Sequence, residues 1–426
     1  MKNTPSENLE FWGKEYLSEK IISNDVDSLH LFIIWEKSRE KFEKKILQDL
    51  QDNFQICAVY EFRWKKENFL INLKRFYERT DKEMQQKIDL VGDGTFLVIL
   101  VSDKQPILRE LVTPTEKDVV NTKVIDLKMK YRNWIGEKFS VHSSISHNET
   151  NHDVTVLFGK NIDDLKSDLP TTWDGKFQNI ELEPLGTNGW RSINELFYFL
   201  NGSVNYVILR NFDGIEKFEF NDIDILSEDE KIRYLLDGNF SLYGDNISTM
   251  ELTIDNKPVK FDFRYLKNQN YVDEKWLKNI LKRREFHPSG FYIPCNEDYF
   301  YSLLHHAIVH KGIISDKKQE LLNNLSNDIG LDSINHNMFS DHDKSKHLLK
   351  NYMKQMGYRD SKSFTYRIRH NQLMRLTKVS IFILQKQGTG HLFELFVHKI
   401  KTTLTNTSEA ITKGKIIDQT DYDLKK

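Results

Sequence analysis

Residues 218–226 read FEFNDIDIL, with Asp222 and Asp224 alternating with Ile223 and Ile225. Successive side chains of a β-strand point to opposite faces, so this spacing puts both carboxylates on one face and both isoleucines on the other. Downstream, VKFDFRY repeats the alternation. Val259, Phe261 and Phe263 share one face; Lys260, Asp262 and Arg264 share the other. If the second strand lies beside the first, Asp222, Asp224 and Asp262 form a cluster of like charges. Such a cluster is costly unless a cation neutralises it, which predicts Mg²⁺ or Mn²⁺. Solvated acids on a surface strand are the plainer reading of the same spacing.

The surroundings are regular. Ser192 and Glu195 read as a capping box opening a helix over INELFYFLNG, followed by the strand NYVILRN. After the DIDIL strand, Ser227 and Glu230 read as a second capping box, opening KIRYLLDG. MELTIDNKPVKFDFRYL reads as a hairpin turning at Asp255-Asn256, and helical patterns follow from 297 onward. Upstream, LHLFII, FQICAVYEFRW and GTFLVILVS read as strands. They alternate with helices over SREKFEKKILQDLQD, KENFLINLKRFYER and NETNHDVTVLFG. These patterns predict an α/β (α+β) chain in two main units: a polar appendage over 1–27, a sandwich over 28–165, a Pro/Gly-bearing linker over 166–190, an α/β core over 191–296 and a helical region over 297–426.

Composition sets the outer bounds. The chain has 426 residues, 39% hydrophobic, 29% charged and 12% aromatic, with a formal net charge of −2. That describes a globular protein and argues against wholesale nucleic-acid binding. No apolar run approaches the roughly 18–20 residues that cross a bilayer, and the first twenty residues lack the apolar stretch of a signal peptide. Cys57 and Cys295 stand far apart, which supports neither a disulfide framework nor a thiolate zinc site. A cytoplasmic address is expected.

The order helix, strand, D-x-D strand, helix, acid-bearing strand over about 190–375 resembles the polymerase-beta-like nucleotidyltransferase superfamily. The nearest likeness is to stand-alone members from surface-polysaccharide loci. The resemblance implies metal and triphosphate at Asp222 and Asp224. It gives Asp262 the second metal or the role of base, and implies a nucleoside triphosphate as substrate with a sugar or polyol acceptor. Where that superfamily carries Gly-Ser after its first strand, this chain has Arg210-Asn211. Phosphate contacts would fall to these two, with Lys260 and Arg264. His305, His306 and His310 lack the acid of a zinc-protease motif and read as packed histidines.

A second resemblance lies upstream. FSVHSSISHNETNHDVTVLFG is similar to the H-G-S-D-S region of nucleoside diphosphate kinases, and LFIIWEKSREKFEKKILQDLQDNFQICAVYEF and GTFLVILVSDKQPILRELVTPT fit the same frame. Over about 28–160 this implies a ferredoxin-like sandwich and a homo-oligomer formed through it. His142 would carry the phosphoryl group, with Asp153 orienting it. Arg109 and Thr115 would touch phosphate, Tyr77 would lie near the base or nucleophile, and Lys128 or Arg132 would add a basic contact. The family's lysine after the first strand falls on Trp35, its Gly and Asp beside the histidine on Ser143 and Ile145, and its asparagine on Phe139.

From Ser361 to Thr403 eight Lys/Arg face one acid, Glu394. This leaves nucleic acid open as a partner, behind a solvated basic face. Three functions therefore stand: metal-dependent nucleotidyl transfer, phosphoryl transfer through His142, and non-catalytic nucleotide binding.

Overall fold

The computed structural model describes residues 16–22, 28–112, 117–212, 214–215, 222–228, 230–240, 249–266, 272–331 and 338–359. Thr115 and the basic stretch 361–403 lie outside them.

In the N-terminal half, β1 (Leu17–Ile22), β2 (Ser28–Ile34), α1 (Glu36–Asn53), β3 (Gln55–Phe62), α2 (Phe69–Tyr77), α3 (Asp81–Val91) and β4 (Phe96–Asp103) come first. They are followed by β5 (Leu108–Val112), β6 (Lys117–Asn121), α4 (Thr122–Ile135), β7 (Val141–Ser143), α5 (His147–Phe158), α6 (Ile162–Asp168) and β8 (Gln178–Ile180). The main sheet runs β7-β2-β4-β3-β8. Its first four strands pair antiparallel, in the order expected of a ferredoxin-like sandwich. The apolar runs read as strands form its centre, and all but the first residue of β2 are buried. A separate small sheet, β1-β5-β6, draws β1 out of the expected appendage.

The expected linker is built into the body. β8 pairs in parallel with β3, and the Glu183 carboxylate accepts from the Lys65 amide at 2.7 Å and from the Asn72 amide group at 2.5 Å. Its turn-forming residues do mark the passage between halves, but its apolar and acidic residues find partners on the sandwich.

The C-terminal half contains α7 (Ile193–Ser203), β9 (Tyr206–Arg210), β10 (Ile223–Ser227), α8 (Ile232–Leu236), β11 (Asn239–Phe240), β12 (Thr249–Ile254) and β13 (Lys257–Tyr265). Then come α9 (Glu274–Lys282), β14 (Glu285–His287), β15 (Phe291–Ile293), α10 (Asn296–His305), α11 (Asp316–Asp328) and α12 (His342–Met356). The mixed sheet runs β11-β12-β13-β10-β9. Its β10 and β13 are parallel and its β12–β13 hairpin turns through left-handed Asp255 and Asn256, at φ 49° and 58°. Val259, Phe261 and Phe263 are buried as the alternation requires.

Two caps differ from expectation. The Ser192 hydroxyl does accept from the Glu195 amide at 3.1 Å, but the Glu195 carboxylate reaches the Arg191 amide instead of closing a reciprocal box. Ser227 is the last residue of β10 and buried, and α8 begins later, without a side-chain cap. Among the described residues a complete capping box is at Thr80 and Glu83, opening α3.

One hydrophobic core runs from the sandwich into the mixed sheet, joining Phe62, Phe96 and Val154 to Phe197, Ile225 and Phe261. Among the described residues no helix is long and apolar enough to cross a membrane.

Candidate functional site

His142 sits in β7, opposite Ile33 of β2, a three-residue strand at the edge of the sheet. The sequence then turns into α5, capped by the Ser146 hydroxyl on the Glu149 amide, and one and a half turns along that helix Asp153 faces back toward the strand. Nε2 of His142 lies 2.7 Å from Asp153 Oδ2. A carboxylate only accepts, so Nε2 carries the proton and Nδ1 of the neutral ring keeps its lone pair. Among the described residues Nδ1 has no hydrogen-bond partner. The edges of Phe76 and Tyr77 hold the ring at centroid distances of 5.2 and 5.5 Å.

Burial lowers the His142 imidazole below its ordinary value; Asp153 opposes that fall, while Lys128 and Lys87 add to it. Burial alone would raise the Asp153 carboxyl, but the charges and hydrogen bonds of His142 and His152 hold it below its ordinary value. The result is a neutral imidazole backed by an ionised carboxylate, which is a competent nucleophile at neutral pH.

His142 opens on a cavity of about 1590 Å³ between the two halves. On its side of the cavity stand Arg79, Lys87, Lys128 and Arg132. The Arg132 Nε donates to the Val141 carbonyl at 2.9 Å, which ties it to the residue before His142. Lys87 is buried, its Nζ lying 4.3 Å from the Tyr77 ring centre, 5.0 Å from Phe139 and 5.7 Å from Trp35. The opposite wall includes Asn205, Lys231, Lys282 and Arg284, the last with its guanidinium 3.8 Å from the Tyr292 ring centre.

Of the residues expected around a phosphohistidine, the structure brings together His142, Asp153, Tyr77, Lys128 and Arg132. Arg109 departs: it lies on β5 in the separate small sheet, opposite Val120, and does not line the cavity. The pattern missed Lys87. Its signal was the Thr80–Glu83 box, which fixes the phase of α3 so that Met84, Lys87 and Val91 form its buried stripe. A lysine inside an apolar stripe is rarely buried without a partner, which singles Lys87 out. His152 was likewise missed.

The acidic face lies elsewhere. Asp224 and Asp262 are direct neighbours across the parallel β10–β13 pair. Asp222 and Asp262 both act on Asp224: burial raises its carboxyl above the ordinary range, these two acids add to the rise, and Arg210 and Arg264 counter it. The strands bring Asp224 and Asp262 side by side, and the buried Asp224 charge is compensated by arginine. Arg210 is opposite Asp224 across β9–β10 and donates to its Oδ1 at 2.6 Å, both being buried. Arg264 lies 3.4 Å from Asp262 and 3.9 Å from Asp224. Asp262 also accepts from the Thr249 hydroxyl at 2.7 Å. Asn211 follows Arg210 in the left-handed region, φ 59°, and Lys260 is exposed opposite Glu251. Among the described residues no group of three His, Cys, Asp or Glu is placed to hold a metal ion. As arranged, these residues do not fit the expected Mg²⁺ or Mn²⁺. His305 packs edge-on to Trp276 at 5.7 Å, a structural contact.

No protein-family model matches the chain, and no curated protein does. Among solved structures, the nucleoside diphosphate kinase of Aquifex aeolicus is similar over 30% of this chain and 93% of that one, at 16% identity and a TM-score of 0.22.

Proposed function

We propose that this protein transfers phosphoryl groups through His142, taking them from a nucleoside triphosphate bound in the cavity between the halves. The observation that carries the reading is the His142–Asp153 pair, 2.7 Å apart at the wall of a cavity lined by Lys87, Lys128 and Arg132. The lone pair of Nδ1 attacks the terminal phosphorus, the phosphorus–oxygen bond to the leaving diphosphate breaks, and that oxygen takes the electron pair. Nε2 keeps its proton, with Asp153 balancing the charge that develops on the ring. The lysines and the arginine meet the phosphate oxygens, where charge accumulates in phosphoryl transfer. The nucleotide itself rests on the resemblance of the sequence frame.

The test is incubation with γ-labelled ATP. Acid-labile label is expected on the wild type, absent in His142→Ala, and slowed roughly 10²-fold in Asp153→Asn. Label that resists acid, or persists in His142→Ala, refutes the reading.

A second reading has one observation in its favour, the side-by-side register of Asp224 and Asp262. It is nucleotidyl transfer from a nucleoside triphosphate to a sugar, polyol or phosphate acceptor. It requires Arg210 to leave Asp224. Consumption of nucleoside triphosphate that depends on Mg²⁺, survives His142→Ala and is lost in Asp262→Asn would establish it; indifference to Asp262→Asn would end it.

A further inference from the structure

Asp153 serves more than one histidine. While Oδ2 holds His142, Oδ1 lies 3.1 Å from Nδ1 of His152, the residue just before it in α5. On the far side of that ring, Nε2 lies 3.7 Å from Glu78 Oε1, at the C-terminal end of α2, and is buried without a hydrogen bond. The arrangement is a chain of alternating charge type, His142–Asp153–His152–Glu78, along the wall of the cavity. A neutral His152 would aim a lone pair at Glu78; a protonated one places an N–H between each acid and itself.

We propose that His152 is a positioning residue for phosphoryl transfer: its protonation draws the Asp153 charge away from His142 and slows phosphorylation as the pH falls. The inference rests on the function proposed for His142.

The charged groups facing His152 favour its protonation. They are Asp153 and Glu149 from α5 and Glu78 from α2, while Lys87 of α3 and Lys128 of α4 act on His142 beyond Asp153. From the C-terminal half, α7 meets α5 through uncharged Gly202 against Thr155. Burial pulls the His152 imidazole down, but the three acids together raise it above its ordinary value. His142 lies below its own ordinary value, so on acidification His152 takes its proton first. A carboxylate shared with a cation polarises the His142 N–H less, and Nδ1 becomes a poorer nucleophile.

His152→Asn keeps a nitrogen donor near the position of Nδ1 and removes the titration. The initial rate of His142 phosphorylation by ATP in the intact protein should fall about threefold or more between pH 8 and pH 6 in the wild type, and stay flat in His152→Asn. Parallel falls in both overturn the inference. A second measurement needs no turnover: proton NMR of protein with ¹⁵N-labelled histidine, following the Nε2–H signal that disappears in His142→Ala. That signal should move with pH in the wild type and hold still in His152→Asn across the same range. A signal that holds still in both overturns the inference even if phosphorylation occurs; failure of phosphorylation with a signal that moves refutes only the function proposed for His142.

Discussion

His30, which is buried, and His152, which is half-buried, are shifted in opposite senses, and their partners decide which. His30 lies with Nδ1 2.9 Å from the Ser144 carbonyl, to which it donates, so Nε2 must accept; the Ser28 hydroxyl and the Asn121 amide, at 3.0 and 3.3 Å, supply protons to it. Every site on the neutral ring is satisfied, and a second proton would face donors. Burial accordingly pushes its pKa down to about 4 from 6.5. The unfolded chain binds this proton first, so the stability due to neutral His30 is complete above pH 6.5 and is lost as the pH falls toward 4. A span of about 2.5 units corresponds to an upper bound on the order of 3 kcal/mol. His152 has the other sign: its contribution is present below the unfolded value and is lost as the pH rises through its raised folded value. Urea unfolding at pH 7 and pH 4.5 should therefore show a smaller acid loss in His30→Gln than in the wild type. Equal losses would reject the assignment.

The elements that carry these residues are held by close approach as much as by burial. Gly202, in the last turn of α7, has no room for a side chain: a Cβ there would lie 2.2 Å from Thr155 Oγ1 and 3.0 Å from its methyl. Thr155 is fully buried on α5, two residues beyond Asp153, so the helix that positions the carboxylate is pressed against the C-terminal half at this point. Gly202→Ala should destabilise the fold by about 1–3 kcal/mol. Thr155→Ala introduced with it should recover much of that loss, a coupling that thermal unfolding of the four-member cycle measures. Additive effects would mean that the helices do not constrain each other here.

Elements of this kind were legible where one strand or one turn decides them. The alternation in VKFDFRY placed Asp262 on the right face, and Asp255-Asn256 announced its hairpin. Arg210 was legible only as a missing Gly-Ser; its ion pair with Asp224 depends on antiparallel register across a bulge, which the two strands do not state separately. Ser227-x-x-Glu230 looked like a cap because the motif is local, but the end of β10 claims Ser227 for the sheet. Lys87 gathers Trp35, Tyr77 and Phe139 from three distant segments, and no local pattern joins them.

Whether the two halves act as one body turns on α2. This helix sends Arg75 inward, fully buried, where its guanidinium donates to the Leu235 carbonyl at 2.7 Å, the Thr187 hydroxyl at 2.9 Å and the Leu185 carbonyl. The same group lies 5.3 Å from the Phe199 ring centre and 5.6 Å from that of Trp190. Burial lowers its pKa only to about 10, so it remains charged at neutral pH. Its neighbour Lys74 pairs with Asp237 at 2.6 Å, just past α8. One helix of the sandwich thus fastens the connecting segment, α7 and α8, and the walls of the cavity facing His142 are set by this fastening. Arg75→Ala removes the donors to the Leu235 and Leu185 carbonyls and opens the contact with Trp190, while the Thr187 hydroxyl keeps its bonds to Asn72 and the Pro184 carbonyl. A loss of about 3–5 kcal/mol is expected. More telling is the form of the transition. The shared core predicts coincident unfolding of the wild type by far-UV circular dichroism and by tryptophan fluorescence. In Arg75→Ala the two curves should separate, because α2 no longer holds the Leu185 and Leu235 carbonyls. Curves that shift together by the same amount would show that the continuous apolar core, and not the arginine, makes the halves cooperative.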